Sequence, residues 1–97
     1  MPGGATLNIV GYQQLTLNGV ATALTRPTGE RPRHALITVS GGAIRWGTAP
    51  TSALGTMVGA GGTIDWTDME KDYAGLLDNV KFVNTGVAAT LDVQFFG

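Results

Sequence analysis

Few side chains in this sequence are suited to catalysis or metal binding. His34 is the only histidine and there is no cysteine, which excludes disulfides, thiolate nucleophiles and thiolate metal sites. A metal site at His34 would need several carboxylates brought to it by the fold, because no second histidine is present. We therefore predict that His34 has a structural or interface role.

Acidic side chains gather in one short segment, which also contains Lys71. A hard cation takes six or more oxygen ligands, and the spacing here is not that of a calcium-binding loop. Acid–base catalysis by a pair of carboxylates is not supported either, because no pocket or companion base is indicated. We predict a solvated acidic face, with no metal, no cofactor and no catalytic residue. Its members are Asp65, Asp68, Glu70 and Asp72.

Two further groups of residues are of a kind that binds ligands in other proteins. The Gly-Ala-Gly-Gly run at 59–62 lacks the Lys-Ser/Thr pair and the helix of a phosphate-binding loop, so we predict a turn. Tyr12, Trp46 and Trp66 have rings that could stack on a sugar or a base. Both tryptophans lie among isoleucines on the apolar sides of their segments, which favours packing in the core. Since no hydroxyl residue has an evident base, we predict that the protein is not an enzyme.

Apolar and polar residues alternate through several short segments separated by glycines, of which there are 15. A period of two predicts strands buried on one side, and strict alternation favours antiparallel sheets. Earlier in the chain we predict strands over 7–10, 12–17 and 20–24, then an exposed loop over 25–33. The predicted core lies on the apolar sides of the alternating segments and consists of Ile37, Val39, Ile44, Trp46, Ile64, Trp66, Val80, Phe82, Leu91, Val93 and Phe95.

The length of 97 residues fits one domain. We predict a flexible N-terminal arm over 1–6 and a single domain over 7–97. Apolar residues at helical spacing predict at most one short helix, near 68–77. Two segments, 40–46 and 60–66, share a Gly-Gly…Ile-Xaa-Trp pattern, which predicts two strands in similar surroundings. The fold class that follows is all-β, an antiparallel, jelly-roll-like β-sandwich.

Charged residues make up only 13% of the chain, and the formal net charge is −1. This balance argues against binding to nucleic acid or to an anionic membrane, and no stretch is long and apolar enough for a membrane span. Charge is uneven along the chain. Up to residue 50, four arginines against one glutamate give +3; beyond it, two lysines against six acidic residues give −4.

This division predicts a homo-oligomer whose subunits pair head-to-tail. Basic residues of the 25–33 loop would face the acidic segment of a neighbouring subunit. The small residues of the N-terminal arm would become ordered only against a partner. The predicted contact residues are Pro2, Gly3, Gly4, Arg26, Arg31, Arg33, Asp65, Asp68, Glu70 and Asp72.

The order of the strand-like segments over 35–96 is the part of the sequence that resembles a known protein family. Ala-Leu-Ile-Thr-Val leads to Gly-Gly-Ala-Ile-Arg-Trp, then to Val-Lys-Phe-Val and a closing Ala-Thr-Leu-Asp-Val-Gln-Phe-Phe. This resembles the small structural proteins encoded near the capsid genes of tailed bacteriophages, among them head decoration or cement proteins. The resemblance implies a β-sandwich subunit, often trimeric, that is made in the host cytoplasm and stabilises the capsid exterior.

The expected partners are therefore the major capsid protein and further copies of this chain, with no nucleic acid and no membrane. The sequence is also compatible with two alternative functions. One is a carbohydrate- or ligand-binding β-sandwich module, which would need Tyr12 or a tryptophan exposed on a flat face. The other is a tail or connector component of the same virion.

Overall fold

The computed structural model describes residues 9–25, 27, 32–67, 69 and 75–97. These residues form eight strands and one helical turn of π type. The turn, Gly75–Asn79, begins later than the helix predicted near 68–77, most of which lies outside the described residues. The strands are β1 (Ile9–Leu17), β2 (Thr22–Ala23), β3 (His34–Ser40), β4 (Ile44–Gly47), β5 (Thr56–Val58), β6 (Thr63–Trp66), β7 (Lys81–Asn84) and β8 (Ala89–Phe96).

The strands form two four-stranded antiparallel sheets. Sheet A has the order β1-β8-β3-β6, and sheet B has the order β2-β7-β4-β5. Only β4 and β5 are consecutive strands of one sheet; every other connection between the described strands crosses to the opposite sheet. This strand order is that of a jelly roll. The prediction of an antiparallel, jelly-roll-like β-sandwich is confirmed.

The core lies between the sheets, where alternate residues of each strand point inward. Ten of the eleven predicted core residues are buried, and the eleventh, Trp46, is half-buried and packs against them. Trp46 and Trp66 meet edge-to-face across the core at 6.0 Å between ring centroids, and Phe82 lies 5.9 Å from Trp66. The similar segments around β4 and β6 therefore lie in opposite sheets, where each contributes one isoleucine and one tryptophan to the same core.

Three predicted elements differ from those observed. β1 is one strand rather than two, because a register shift between Ile9 and Gly11 lets pairing with β8 continue through the glycine. β2 is limited to Thr22–Ala23, the two residues that pair with β7. β5 was not predicted, because two of its three residues are exposed and an edge strand of this kind lacks a buried side.

The two ends of the sandwich differ in the connections they carry. The connections 24–33, 48–55 and 67–80 leave their strands at one end, which we call the loop end. The 48–55 connection also reaches back along sheet B, where residues 50–52 line a depression with residues of the 18–21 and 85–88 connections. The opposite end, which we call the turn end, is built from four tight connections. They are 18–21, 41–43, 59–62 and 85–88.

The 48–55 connection depends on a glycine in the left-handed region. Gly55 has φ 114°, and its carbonyl accepts a hydrogen bond from the Arg45 guanidinium at 2.8 Å. A Cβ there would lie 3.0 Å from the carbonyl oxygen of Trp46. We expect Gly55→Ala to lower the free energy of unfolding by about 1–3 kcal/mol, through backbone strain and this close contact.

Gly59→Ala is the matched control for urea denaturation of Gly55→Ala. A Cβ at Gly59 meets nothing within 4 Å, and this residue has no positive φ. We expect a change of about 0.5 kcal/mol or less, as for most surface substitutions. Equal denaturation midpoints for the two variants would show that the Gly55 backbone does not require a glycine.

Candidate interaction surfaces

Of the predicted contact residues, the structure describes Arg33 and Asp65. Arg33 is exposed just before β3; its backbone N–H donates to the carbonyl of Phe96 at 2.8 Å, and its own carbonyl accepts from the N–H of Met69 at 3.2 Å. Asp65 is an exposed residue of β6. The other predicted contacts, Pro2, Gly3, Gly4, Arg26, Arg31, Asp68, Glu70 and Asp72, lie outside the described residues, as does the whole predicted arm.

Arg33 and Asp65 come from the two oppositely charged halves of the chain. β3 and β6 are neighbours in sheet A, with Ala35 paired to Trp66, so Arg33 and Asp65 lie towards the same end of the sandwich. The predicted head-to-tail contact between subunits requires the two sets of charges to lie apart. Arg33 and Asp65, the two of these charges that the structure describes, lie at the same end and do not meet this requirement.

His34 contacts an acidic side chain of the neighbouring strand. Its Nε2 lies 2.5 Å from Oδ1 of Asp65, and its ring meets Phe96 edge-to-face at 5.3 Å. The carboxylate is 55% exposed, and exposed pairs of this kind contribute about 0–1 kcal/mol. The contact therefore orients two side chains on the sheet surface and adds little to stability.

The turn end carries no charged residue in any of its four connections. Its most exposed apolar side chains are Val20 and Val87, with 70% and 69% of their surface accessible. Each valine lies at the centre of a Gly-Val-Ala tripeptide, at 19–21 and at 86–88. This repeated tripeptide is the feature of the sequence that signals the surface; the alternation of apolar and polar residues gives no sign of it.

A buried asparagine holds the two valine turns together. The Oδ1 atom of Asn84 accepts a hydrogen bond from the N–H of Gly19 at 2.6 Å. Its amide group donates to the carbonyls of Gly86 and Val87 at 2.8 and 3.2 Å. Asn84 is only 7% exposed, and these three part-buried hydrogen bonds join the 18–21 turn to the 85–88 turn.

The position of Val87 also requires a glycine at residue 42. A Cβ built on Gly42 would lie 2.7 Å from a methyl carbon of Val87. Val87 therefore rests directly on the backbone of the 41–43 turn. This contact supports one methyl group of the otherwise exposed valine from below.

A second surface lies on the outer face of sheet A, where Tyr12 is 69% exposed. Next to it, the Gln14 side-chain amide donates to Oδ1 of Asp92 at 2.9 Å. Together with Gln94 these side chains line a shallow depression of about 360 Å³. An exposed aromatic ring on a sheet face is the feature that a carbohydrate-binding module would need. Trp66, by contrast, is buried in the core.

The described ranges offer neither a metal site nor a membrane-spanning helix. No group of three or more His, Cys, Asp or Glu side chains is placed there to hold a metal ion. No helix in the described part of the chain is long and apolar enough to cross a membrane. Comparison with known proteins finds no matching protein family, no matching curated protein and no matching solved structure.

Proposed function

We propose that this protein is a non-enzymatic structural protein of a bacteriophage virion, a decoration or cement protein. In this proposal it is made in the host cytoplasm, assembles as a homotrimer and binds the lattice of the major capsid protein from outside. Its contacts add interactions that must break before a shell under internal DNA pressure can open. Many copies on one lattice multiply the effect of each contact.

The observation that carries the proposal is the uncharged turn end with Val20 and Val87 exposed. An apolar surface without charges can be buried against another protein without the cost of desolvating an ion. Each partner in a stable contact buries about 800 Å². We assign the major capsid protein as the partner of this end. The six charged residues that the structure describes all lie outside the turn end, on the sheets and at the loop end, which is thus left to the contacts between subunits.

The test is to introduce charge at the turn end. We expect the double variant Val20→Asp, Val87→Asp to fold normally, because both side chains are exposed, and to lose at least about tenfold in affinity for capsids. Binding is measured by co-sedimentation with capsids prepared without this protein. The matched control is Leu54→Asp, since Leu54 is an equally exposed apolar residue, 65% accessible, in the 48–55 connection.

Wild-type binding by the double variant would contradict the role of the turn end. Loss of binding in Leu54→Asp as well would show that the contact is not confined to the turn end and includes the 48–55 connection. Sedimentation velocity of the same samples separates assembly from attachment: the double variant should remain a trimer. A wild-type chain that is a clean monomer and does not bind capsids would defeat the proposed function as a whole.

A further inference from the structure

We propose that the outer face of sheet A binds a neutral chain of hexopyranose sugars, with Tyr12 as the stacking residue. This site lies on the face of a sheet and is separate from the turn end. The inference does not rest on the proposed function, because a carbohydrate site on this face would serve an isolated module and a capsid-bound subunit equally.

The pairing of β1 with β8 determines which side chains share this surface. Ile9 pairs with Phe96, whereas Tyr12 pairs with Gln94, so one extra residue of β1 lies between the two pairs. In a regular strand, residues three positions apart point to opposite faces of the sheet. The extra residue brings Ile9 and Tyr12 onto the same outer face. The Tyr12 ring itself points outward because residues 11–17 pair in regular register with β8, which sets Tyr12 opposite Gln94 and Gln14 opposite Asp92.

Polar groups suited to hydroxyl ligands lie beside the ring. The hydrogen bond from Gln14 to Asp92 uses one amide N–H and one carboxylate oxygen. The Gln14 carbonyl oxygen, its second N–H and the other Asp92 oxygen remain for a ligand. Sugar hydroxyls both donate and accept, so one pyranose can use all three groups. The contact between Gln14 and Asp92 also holds both side chains in place before a ligand arrives.

The chemistry of the depression selects this class of ligand. Its lining includes no basic side chain, and Asp92 would repel phosphate, so nucleotides and nucleic acids are disfavoured. Tyr12 supplies an apolar ring face that matches the C–H face of a pyranose. The depression is shallow and open, which fits successive units of a chain better than an enclosed monosaccharide. Binding by one copy would be weak and would gain strength from multivalency.

The experiment is a ¹⁵N–¹H NMR titration of the isolated chain, which needs no capsid. The probes are cello-, malto-, manno- and β-1,4-galacto-hexaose, which together vary the sugar and its linkage. We expect saturable shifts with at least one probe, confined to amides near residues 12–14 and 92–94. Tyr12→Ala should weaken binding about tenfold, whereas Tyr12→Phe should retain it because the stacking ring is kept.

Two further variants keep the test decisive. The double variant Gln14→Ala, Asp92→Ala removes the polar contacts and should also weaken binding, and it serves as the test if Tyr12→Ala folds poorly. The matched control is Val20→Ala, which truncates an equally exposed side chain at the turn end and should bind as the wild type does. No saturable shift with any probe would overturn the proposal. So would undiminished binding by both the Tyr12→Ala and the Gln14→Ala, Asp92→Ala variants.

Discussion

Replacing Phe82 by alanine is expected to lower the free energy of unfolding by about 3–5 kcal/mol. The ring is fully buried in β7 and lies within 6.4 Å, between ring centroids, of both tryptophan rings. Its removal would leave a cavity that the two surrounding sheets cannot close without breaking strand pairs. Because a domain of this size has a total stability of about 5–15 kcal/mol, the variant would lose a large fraction of it.

Urea denaturation followed by circular dichroism measures the effect of Phe82→Ala. The control is Tyr12→Ala, which removes an aromatic ring of similar size from the exposed face of sheet A. Its expected cost is about 0.5 kcal/mol or less. Phe82→Leu should fall between the two, because most of the buried volume is retained. An unchanged denaturation midpoint for Phe82→Ala would mean that the inward register of β7 is wrong.

The second large effect is expected at Asn84. Substitution by alanine removes three part-buried hydrogen bonds and leaves the Gly19 N–H and the Gly86 and Val87 carbonyls without this partner. We expect a loss of about 2–4 kcal/mol in the free energy of unfolding. Asn84→Asp should be at least as destabilising, because it keeps the acceptor for Gly19 but sets a buried carboxylate against two carbonyl oxygens.

Amide hydrogen exchange gives a local measurement of the same contact. The Gly19 amide should exchange faster in Asn84→Ala than in the wild type, beyond the change expected from global stability alone. Asn18→Ala is the control, because Asn18 is an exposed asparagine of the same turn. Equal protection of Gly19 in the wild type and in Asn84→Ala would show that the bond to Asn84 does not fix the turn.

Alternation in the sequence was enough to predict the sandwich and ten of the seventeen buried apolar residues of the described core. In β3 and β8, apolar and polar residues alternate over seven or eight positions, so only one choice of inward-pointing side chains buries the apolar residues. Ile37, Leu91 and Val93 are buried as predicted. The same signal fails for β5, where Met57 is exposed at a sheet edge. It also fails at Gly11, because a bulge depends on the pairing with β8, which lies far away in the chain.

The interaction surfaces were harder to predict for a related reason. In the structure, Asn84 points inward and is buried. From the sequence alone, a polar residue after Phe82 and Val83 indicates only that the strand ends there. One of its partners, Gly19, lies 65 positions away in the chain, and a local sequence pattern cannot indicate a contact over that distance. A carbohydrate-binding module would need Tyr12 to be exposed, and the side of the sheet on which Tyr12 lies follows from the pairing of β1 with β8.

The position of β8 has a consequence for folding kinetics. β8 lies between β1 and β3, so the first and last described strands are direct neighbours, and one of their side-chain contacts joins residues 78 positions apart. During synthesis, sheet A therefore cannot form until residue 96 has left the ribosome. Such long-range pairing is slow, with folding times of milliseconds to seconds. Until β8 pairs, the apolar strands of the other elements are exposed and can associate with other unfolded chains.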